Sequence, residues 1–124
     1  MAKTIMVVDD SPTMRLSLKL CLELGGFNVE CAGDGVTALK LLTAGVKPDL
    51  IISDVNMPNM GGMEFIRNLR TVPGFRFTPV LMLTTESLQE KRDEAKKYGA
   101  TGWLVKPVTG PDMIKVIKRV LPGA

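Results

Sequence analysis

The sequence predicts an α/β fold in which a parallel sheet carries helices on both faces. Five short apolar runs recur along the chain, and most of them lack the polar alternation of a strand with one solvated face. A helical pattern follows each run, and this alternation is typical of a doubly wound parallel sheet. The predicted strands are residues 4–8, 27–32, 50–53, 80–83 and 102–105.

The first predicted helix covers residues 12–24. Ser11 suits its N-cap, Pro12 suits its first turn, and a glycine pair at 25–26 ends it. Charged residues recur every four positions and predict one solvated stripe, while the apolar residues between them are expected to be covered. The stripe consists of Arg15, Lys19 and Glu23, and the covered set of Leu16, Leu18, Leu20, Cys21 and Leu22.

Three of the later helices also show a buried face or a clear boundary. The second begins near Gly35, with Asp34 as its cap, and ends before Gly45. The third covers residues 63–70 and is expected to bury Ile66 and Leu69. The fifth begins near Pro111; its inner face carries Ile114, Ile117, Val120 and Leu121, and its outer face Lys115, Lys118 and Arg119.

The fourth predicted helix, residues 87–98, is polar almost all round. Only Leu88, Ala95 and part of Tyr98 offer burial, and a pair of Asp93 with Lys97 is expected on the solvated face. Few apolar contacts make an element easy to shift, so this helix is a candidate for a moving part.

Length and hydropathy indicate one cytoplasmic domain covering residues 1–124. The chain is long enough for a real core, and no apolar run approaches the ~18 residues of a membrane helix. The N-terminus leads straight into a strand and does not resemble a signal peptide. Cys21 and Cys31 are interpreted as small buried apolar residues, with no metal-ligand spacing and no disulfide.

Composition excludes several kinds of chemistry. Histidine is absent, which removes Ser-His-Asp catalysis and imidazole metal sites. The net charge of +3 is spread along the chain and aromatic residues make up only 5%, which argues against direct nucleic-acid binding. Any chemistry must therefore use carboxylates, hydroxyls, lysine and an added ion.

Polar side chains follow four of the predicted strands at their carboxyl ends. Because parallel strands end at the same edge of a sheet, where ligands of doubly wound folds bind, these side chains are expected to converge. Three carboxylates in one cleft raise one another's proton affinity, and a divalent cation relieves that repulsion. The residues are Asp9 and Asp10, Asp54, Thr84 and Thr85, and Lys106, which precedes Pro107 in a turn that suits a cis peptide bond.

Four segments carry a family resemblance: VVDDS (7–11), SDVNMPNMGG (53–62), PVLMLTTE (79–86) and GATGWLVKPV (99–108). With these motifs, and with 30 positions from Asp54 to Thr84 and 52 to Lys106, the whole chain resembles the receiver domain of bacterial response regulators. The resemblance implies a flavodoxin-like, CheY-like sheet of five parallel strands in the order 2-1-3-4-5.

The resemblance also implies roles for the converging residues. Asp54 would be the phosphoacceptor and become a 4-aspartylphosphate, and Lys106 and Thr84 would hold phosphoryl oxygens. Asp10, Asp54 and the backbone carbonyl of Asn56 would ligate Mg²⁺, with Asp9 acting through water. Phosphorylation would then draw the hydroxyl of Thr84 inward and let Trp103 fill the vacated space, which switches the face formed by the fourth helix, fifth strand and fifth helix.

The segment DVNMPNM resembles the single-domain chemotaxis receivers in particular, and nothing follows Ala124, so a lone receiver is expected. That resemblance implies a CheA-like histidine kinase as phosphodonor and a flagellar motor switch protein or a phosphatase as further partner, without nucleic acid or membrane. The protein would not be an enzyme, although it assists its own phosphorylation and dephosphorylation. The alternative is a phosphorelay intermediate, phosphate sink or adaptor outside motility.

Some residues depart from the family pattern or tune it. Thr85 is bulkier than the small residue often found there and is expected to narrow access to Asp54. Val55 is apolar and is expected to be buried. Asn56 and Glu86 flank the site at positions that tune the lifetime of the phosphoryl group in members of the family that the chain resembles. Two rival classes with related sheets fit less well. A haloacid-dehalogenase-type hydrolase needs a second acid where Asn56 stands, and a flavodoxin needs a hydroxyl-rich loop after the first strand.

Overall fold

Strands and helices alternate along the chain as predicted. The computed structural model describes residues 2–85 and 89–121. The strands are β1 (Thr4–Val8), β2 (Asn28–Ala32), β3 (Leu50–Asp54), β4 (Val80–Thr84) and β5 (Gly102–Val105). The helices are α1 (Pro12–Leu24), α2 (Gly35–Thr43), α3 (Gly62–Leu69), α4 (Gln89–Lys97) and α5 (Gly110–Val120). The predicted bounds of β1, β5 and α1 are confirmed, and the ends of β2, β3, β4 and α3 each differ by one residue.

The sheet is parallel throughout and has the strand order β2-β1-β3-β4-β5. The order reverses between β1 and β3, which are direct neighbours with Val8 opposite Ser53. Both strands end at the same edge, so the residues that follow them meet at the switch point where ligands of this architecture bind. The fold class and the strand order predicted from the sequence are confirmed.

Two apolar clusters lie on opposite faces of the sheet, because successive strand residues point to opposite sides. On one face, Met6 and Val8 belong to the cluster that α2, α3 and α4 cover. On the other face, Ile5 and Val7 pack with residues of α1 and α5. All five residues of β3 and of β4 are buried, as expected for central strands of a parallel sheet that helices cover on both faces.

The expected burial of α1 is only partly correct. Leu18 and Leu22 are buried, but Leu16 is 57% exposed and Leu20 is 54% exposed. The expected solvated stripe is also wrong in part, because Arg15 and Lys19 are half-buried. The helix covers the sheet along one side only, and its leucines occupy several sides, so their pattern does not show which side faces inward.

Helix caps follow the sequence signals. The Ser11 hydroxyl accepts a hydrogen bond from the Met14 amide at 3.2 Å, and the Asp34 carboxylate accepts one from the Thr37 amide at 2.8 Å. Thr109 caps α5 in the same way, through the Asp112 amide. Gly26 follows α1 with φ +93°, a conformation that favours glycine.

Helix α4 is as polar as predicted, with Ala95 buried and Tyr98 half-buried just beyond its end. The predicted start at Ser87, the burial of Leu88 and the position of Glu86 lie outside the described residues. The predicted pair of Asp93 with Lys97 is wrong. Asp93 instead accepts a hydrogen bond from Gln89 at 2.8 Å, and an ion pair between two exposed side chains gains little in water.

The inner face predicted for α5 is confirmed. Ile117 is fully buried together with Met113, and Ile114, Val120 and Leu121 are half-buried and pack against the same apolar cluster. Both cysteines are free thiols and half-buried, so the expectation that they are buried is only partly correct. Among residues 2–85 and 89–121, no helix is long and apolar enough to cross a membrane.

Candidate functional site

An acidic cluster forms at the carboxyl edge of the sheet, where β1 and β3 end side by side. Each of Asp9, Asp10 and Asp54 offers a carboxylate oxygen, and these oxygens lie within 4.8 Å of one another. Asp9 is 1% exposed and Asp54 is 8% exposed, whereas Asp10 is open to solvent. The predicted convergence of the three acids is therefore confirmed.

Asp9 is held in place through both of its carboxylate oxygens. Oδ1 accepts a hydrogen bond from the Ser11 amide at 2.9 Å, and Oδ2 accepts one from Lys106 Nζ at 3.4 Å. The Asp9 amide donates to the carbonyl of Ala32 at the end of β2. These contacts fix Asp9 as part of the loop, whereas Asp10 is exposed to solvent.

Lys106 reaches the cluster from the end of β5. Its amide donates to the carbonyl of Thr84 at 2.7 Å, which places the residue beside the end of β4. Its Nζ lies 3.6 Å from Oδ2 of Asp54 as well as 3.4 Å from Asp9. The peptide bond to Pro107 is cis, as the sequence suggested. One ammonium group therefore stands between two buried carboxylates.

The pKa of Asp54 is raised above its ordinary value. Burial is the main cause, because desolvation penalises the charged form, and the neighbouring Asp9 adds to it. Lys106 and the amides of Asn56 and Val55 act in the opposite direction, with the Asn56 amide 3.4 Å from Oδ1. The charged form of Asp54 is thus costly unless further positive charge arrives.

Thr84 ends β4 and is buried at the same edge of the sheet. Trp103 lies on β5, opposite Met82 of β4. Its side chain is half-buried against the apolar cluster that α2, α3 and α4 cover. Thr84 and Trp103 therefore lie on adjacent strands, offset by two residues in the strand register. The indole is thus close to any displacement at the end of β4.

The residues that flank Asp54 differ in exposure. Val55 is 9% exposed, so its predicted burial is confirmed, while Asn56 and Thr85 are exposed.

Gly62 closes the loop that follows β3, because its amide donates to the carbonyl of Val55 at 2.8 Å. A Cβ at Gly62 would fall on the carbonyl oxygen of Asp54 and 2.7 Å from Cε of Met82.

Two contacts around the cluster were not predicted. Nη1 of Arg15 donates to the backbone carbonyl of Asp9 at 2.6 Å and so clamps the peptide that joins the two adjacent acids. The Asn59 amide group donates to the carboxylate of Asp34 at 2.9 Å, which ties the loop after β3 to the start of α2. The hydrogen bond from the Thr37 amide is the main cause that lowers the pKa of Asp34, and the one from Asn59 adds to it. The only available signal for Arg15 was its place one turn into α1.

The chemistry of the donor set fits a hard divalent cation. Every side-chain metal ligand in the cluster is a carboxylate oxygen. Mg²⁺ and Ca²⁺ prefer oxygen ligands, whereas softer metals prefer imidazole or thiolate. A cation would also oppose the mutual repulsion of the acids and the raised pKa of Asp54.

Comparison with known proteins assigns the family. Residues 5–118 match the family model described as response regulator receiver domain, so the chain belongs to that family. It is 38% identical over 117 residues to the chemotaxis protein CheY-3 of Vibrio cholerae serotype O1, covering 94% of this chain and 89% of that protein. It is also 38% identical to the chemotaxis protein CheY of Pseudomonas aeruginosa, covering 94% of each.

A solved structure agrees at the level of the whole fold. The chemotaxis protein CheY4 of Vibrio cholerae superposes with a TM-score of 0.93 at 45% identity, and the match covers 98% of this chain and 100% of that one. The family resemblance and the CheY-like fold predicted from the motifs are therefore confirmed.

Proposed function

We propose that this receiver domain accepts a phosphoryl group from a histidine kinase on the carboxylate of Asp54. The observation that carries the proposal is the position of Asp54 at the carboxyl edge of the sheet, where the Lys106 ammonium group lies close to both Asp54 and Asp9. A carboxylate that is held near positive charge and open to the edge of a sheet is a nucleophile in position to attack phosphorus.

A Mg²⁺ ion would be held by Asp10, Asp54 and the backbone carbonyl of Asn56, with Asp9 acting through water. Both oxygens of Asp9 already accept hydrogen bonds, from Ser11 and from Lys106, which supports an indirect role for it. When bound, the ion supplies positive charge to the phosphoryl oxygens and lowers the repulsion between phosphate and carboxylates.

The chain's own residues position and neutralise the transferred group. A bond forms between a carboxylate oxygen of Asp54 and phosphorus as the bond from phosphorus to the donor's histidine nitrogen breaks. Lys106 is placed to donate to a phosphoryl oxygen, since its Nζ already lies 3.6 Å from Asp54. The Thr84 hydroxyl is the second donor. Such transfer depends mainly on positioning and charge, so no further catalytic group is required.

The proposed output is a change of surface, not turnover of a substrate, so the protein acts in signalling and not as an enzyme. Movement of Thr84 towards the phosphoryl group would shift the end of β4 and let Trp103 move inward. Helix α4 buries Ala95 among otherwise polar residues, and an element with so little apolar contact shifts at low cost. The face formed by α4, β5 and α5 would then present a new surface to a partner.

Chemotaxis is the pathway that we propose, because the relatives at 38% identity are named chemotaxis proteins. A CheA-like kinase would be the phosphodonor, a flagellar motor switch protein or a phosphatase the further partner, and the cytoplasm the location. If the phosphorylated protein gains no affinity for a motor-switch peptide and only passes its phosphoryl group to another histidine, the relay alternative replaces this one.

The decisive experiment is intact mass spectrometry after incubation with Mg²⁺ and acetyl phosphate. The expected result is a labile gain of one phosphoryl group that is lost in Asp54→Asn and in excess EDTA. Asp34→Asn is the matched control, because Asp34 lies outside the acidic cluster and should leave the gain unchanged. An unmodified wild-type mass, or modification that persists in Asp54→Asn, would contradict the proposal.

A further inference from the structure

An open cleft of about 790 Å³ lies at the other end of the sheet from the acidic cluster. It is bounded by the end of α3, the loop that leads into β4 and the turn between α4 and β5, so it sits near the amino ends of β4 and β5. The residues that matter are Arg67, Arg70, Arg76, Phe77, Lys97 and Tyr98. Four of the 16 Lys and Arg residues, which look dispersed in the sequence, are gathered here by the fold.

Positive charge dominates this cleft. Four cationic side chains line it, and no Asp or Glu is among the residues that form its wall. In the part of the chain that the structure describes, the ion pairs found within 4.0 Å both belong to Lys106, so none of the four cations has a carboxylate partner. Four like charges without counter-charge favour an anion.

Arg70 forms a fixed floor for the cleft. Its Nη1 donates to the carbonyls of Phe75 at 2.9 Å and Thr78 at 2.8 Å, and its Nη2 donates to the carbonyl of Gly99 at 2.7 Å. Partial burial lowers the pKa of this guanidinium, because desolvation penalises its charge. A bound anion would offset that penalty, whereas the three carbonyl dipoles offset it only in part.

Two aromatic rings lie next to the guanidinium groups of the cleft. Phe77 is 86% exposed, and the guanidinium carbon of Arg76 lies 5.5 Å from the centre of its ring. The guanidinium carbon of Arg67 lies 5.4 Å from the centre of the Tyr98 ring. A large exposed aromatic next to unpaired guanidinium groups is the combination on which nucleic-acid bases stack.

We propose that this cleft binds a nucleotide, with its phosphates held by Arg67, Arg76 and Lys97 and its base stacked at Phe77. The volume falls within the range of ~300–1,000 Å³ that is usual for small-molecule sites, which favours a free nucleotide over a polymer. The site goes beyond the proposed phosphoryl transfer and does not depend on it, because the acidic cluster lies at the opposite edge of the sheet.

The test is isothermal titration calorimetry with ADP, pyrophosphate and adenosine on the full chain in EDTA. Without a divalent cation the acidic cluster repels phosphate, so binding there does not contribute. ADP is expected to bind, with pyrophosphate and adenosine each roughly tenfold weaker or more, since each lacks one half of the recognised group. Equal binding of ADP and pyrophosphate, or no binding of ADP at millimolar concentration, would overturn the proposal.

Two double variants distinguish specific binding in the cleft from a general effect of the protein's net charge. The double change Arg67→Gln and Arg76→Gln is expected to weaken ADP roughly tenfold or more. The control is Lys115→Gln with Lys118→Gln on the exposed side of α5, which removes the same charge elsewhere and should leave the affinity unchanged. Equal losses in the two double variants would reduce the effect to net charge and refute the site.

A third variant tests the ring. Phe77→Ala removes an exposed side chain, so the protein should fold normally, and it is expected to weaken ADP while leaving pyrophosphate unchanged. An equal loss for both ligands would remove stacking from the proposal. If a single-stranded oligonucleotide binds much more tightly than ADP, and the Arg67/Arg76 double variant loses this binding, the ligand of the cleft is a polymer and not a free nucleotide.

Discussion

Lys106 Nζ lies 3.4 Å from the buried carboxylate of Asp9, although the two residues are 97 positions apart in the sequence. The same nitrogen lies 3.6 Å from Asp54, so one cation serves two acids that end neighbouring strands. A cation in this position stabilises the folded cluster before any metal binds, and it ties β5 to the carboxyl edge of β1 and β3.

Replacement of Lys106 by Met should lower the free energy of unfolding in EDTA by about 2 kcal/mol, since it leaves Asp9 buried without its counter-charge. The value is below that of a fully buried pair because the Lys106 side chain is partly exposed and screened. Urea denaturation measures the change. Lys115→Met on the outer side of α5 is the control, and a loss of equal size there would show that the position in the cluster is irrelevant.

Asp54→Asn should raise the melting temperature in EDTA near neutral pH. Because burial and Asp9 raise the pKa of Asp54, the folded protein holds this proton more tightly than the unfolded chain does. Stability from this group is therefore present below the ordinary pKa of about 3.9 and is lost as pH rises through the folded pKa. The gain from Asn should shrink towards pH ~4, where the wild-type carboxyl is protonated too.

Thermal melts of the wild type and two variants at several pH values measure that difference. Asp10→Asn should give a smaller gain than Asp54→Asn, because Asp10 is exposed and its charge is solvated. A lower melting temperature for Asp54→Asn at neutral pH would mean that the attraction of Lys106 outweighs burial and the repulsion from Asp9.

Gly62→Ala should destabilise the protein by about 2 kcal/mol or more. The added methyl group would meet the carbonyl of Asp54, Cα of Val55 at 2.9 Å and the Met82 side chain, and backbone cannot move aside at low cost. Gly33→Ala is the comparison, because a Cβ there meets only the end of the Arg15 side chain at 3.4 Å. Equal denaturation midpoints for the two variants would contradict the crowding at Gly62.

Two leucines of α1 should respond very differently to truncation. Leu22→Ala should cost about 3 kcal/mol, since the side chain is fully buried, while Leu20→Ala should cost less than about 1 kcal/mol at 54% exposure. Chemical denaturation of both variants under identical conditions gives the comparison. A similar loss at the two positions would favour the more extensive burial that the sequence pattern suggested.

Trp103 should report the switch that follows phosphorylation. It is the only tryptophan in the chain and is half-buried next to β4, so inward movement should change its emission when beryllofluoride and Mg²⁺ are added. Asp54→Asn should show no such change. Emission that stays constant in the wild type with beryllofluoride, and also with acetyl phosphate under conditions where mass spectrometry detects phosphorylation, would exclude a switching role for Trp103.

The sequence predicts the sheet well because its central strands are apolar on both faces. The caps at Ser11 and Asp34 mark helix starts through local hydrogen bonds. Convergence of Asp9, Asp54 and Lys106 also follows, since parallel strands share one edge.

Other features depend on contacts that a linear pattern does not contain. Arg15 looks like part of a solvated stripe, but its partner is a backbone carbonyl, and any residue at position 9 supplies one. The exposure of Leu16 and Leu20 depends on the angle at which α1 crosses the sheet. The cationic cleft joins Arg67, Arg76 and Lys97 from three separate segments, so their separation in the sequence hides their proximity.

The adjacency of β1 and β3 means that the acidic cluster exists only while the sheet is intact. An unfolded chain separates Asp9 from Asp54 by 44 intervening residues, so it offers no comparable grouping of oxygens. A divalent ion captured at this edge would therefore be a ligand of the native state alone. Its concentration would set how much heat or denaturant the protein withstands, and the cell's magnesium level would become part of the protein's thermodynamic stability.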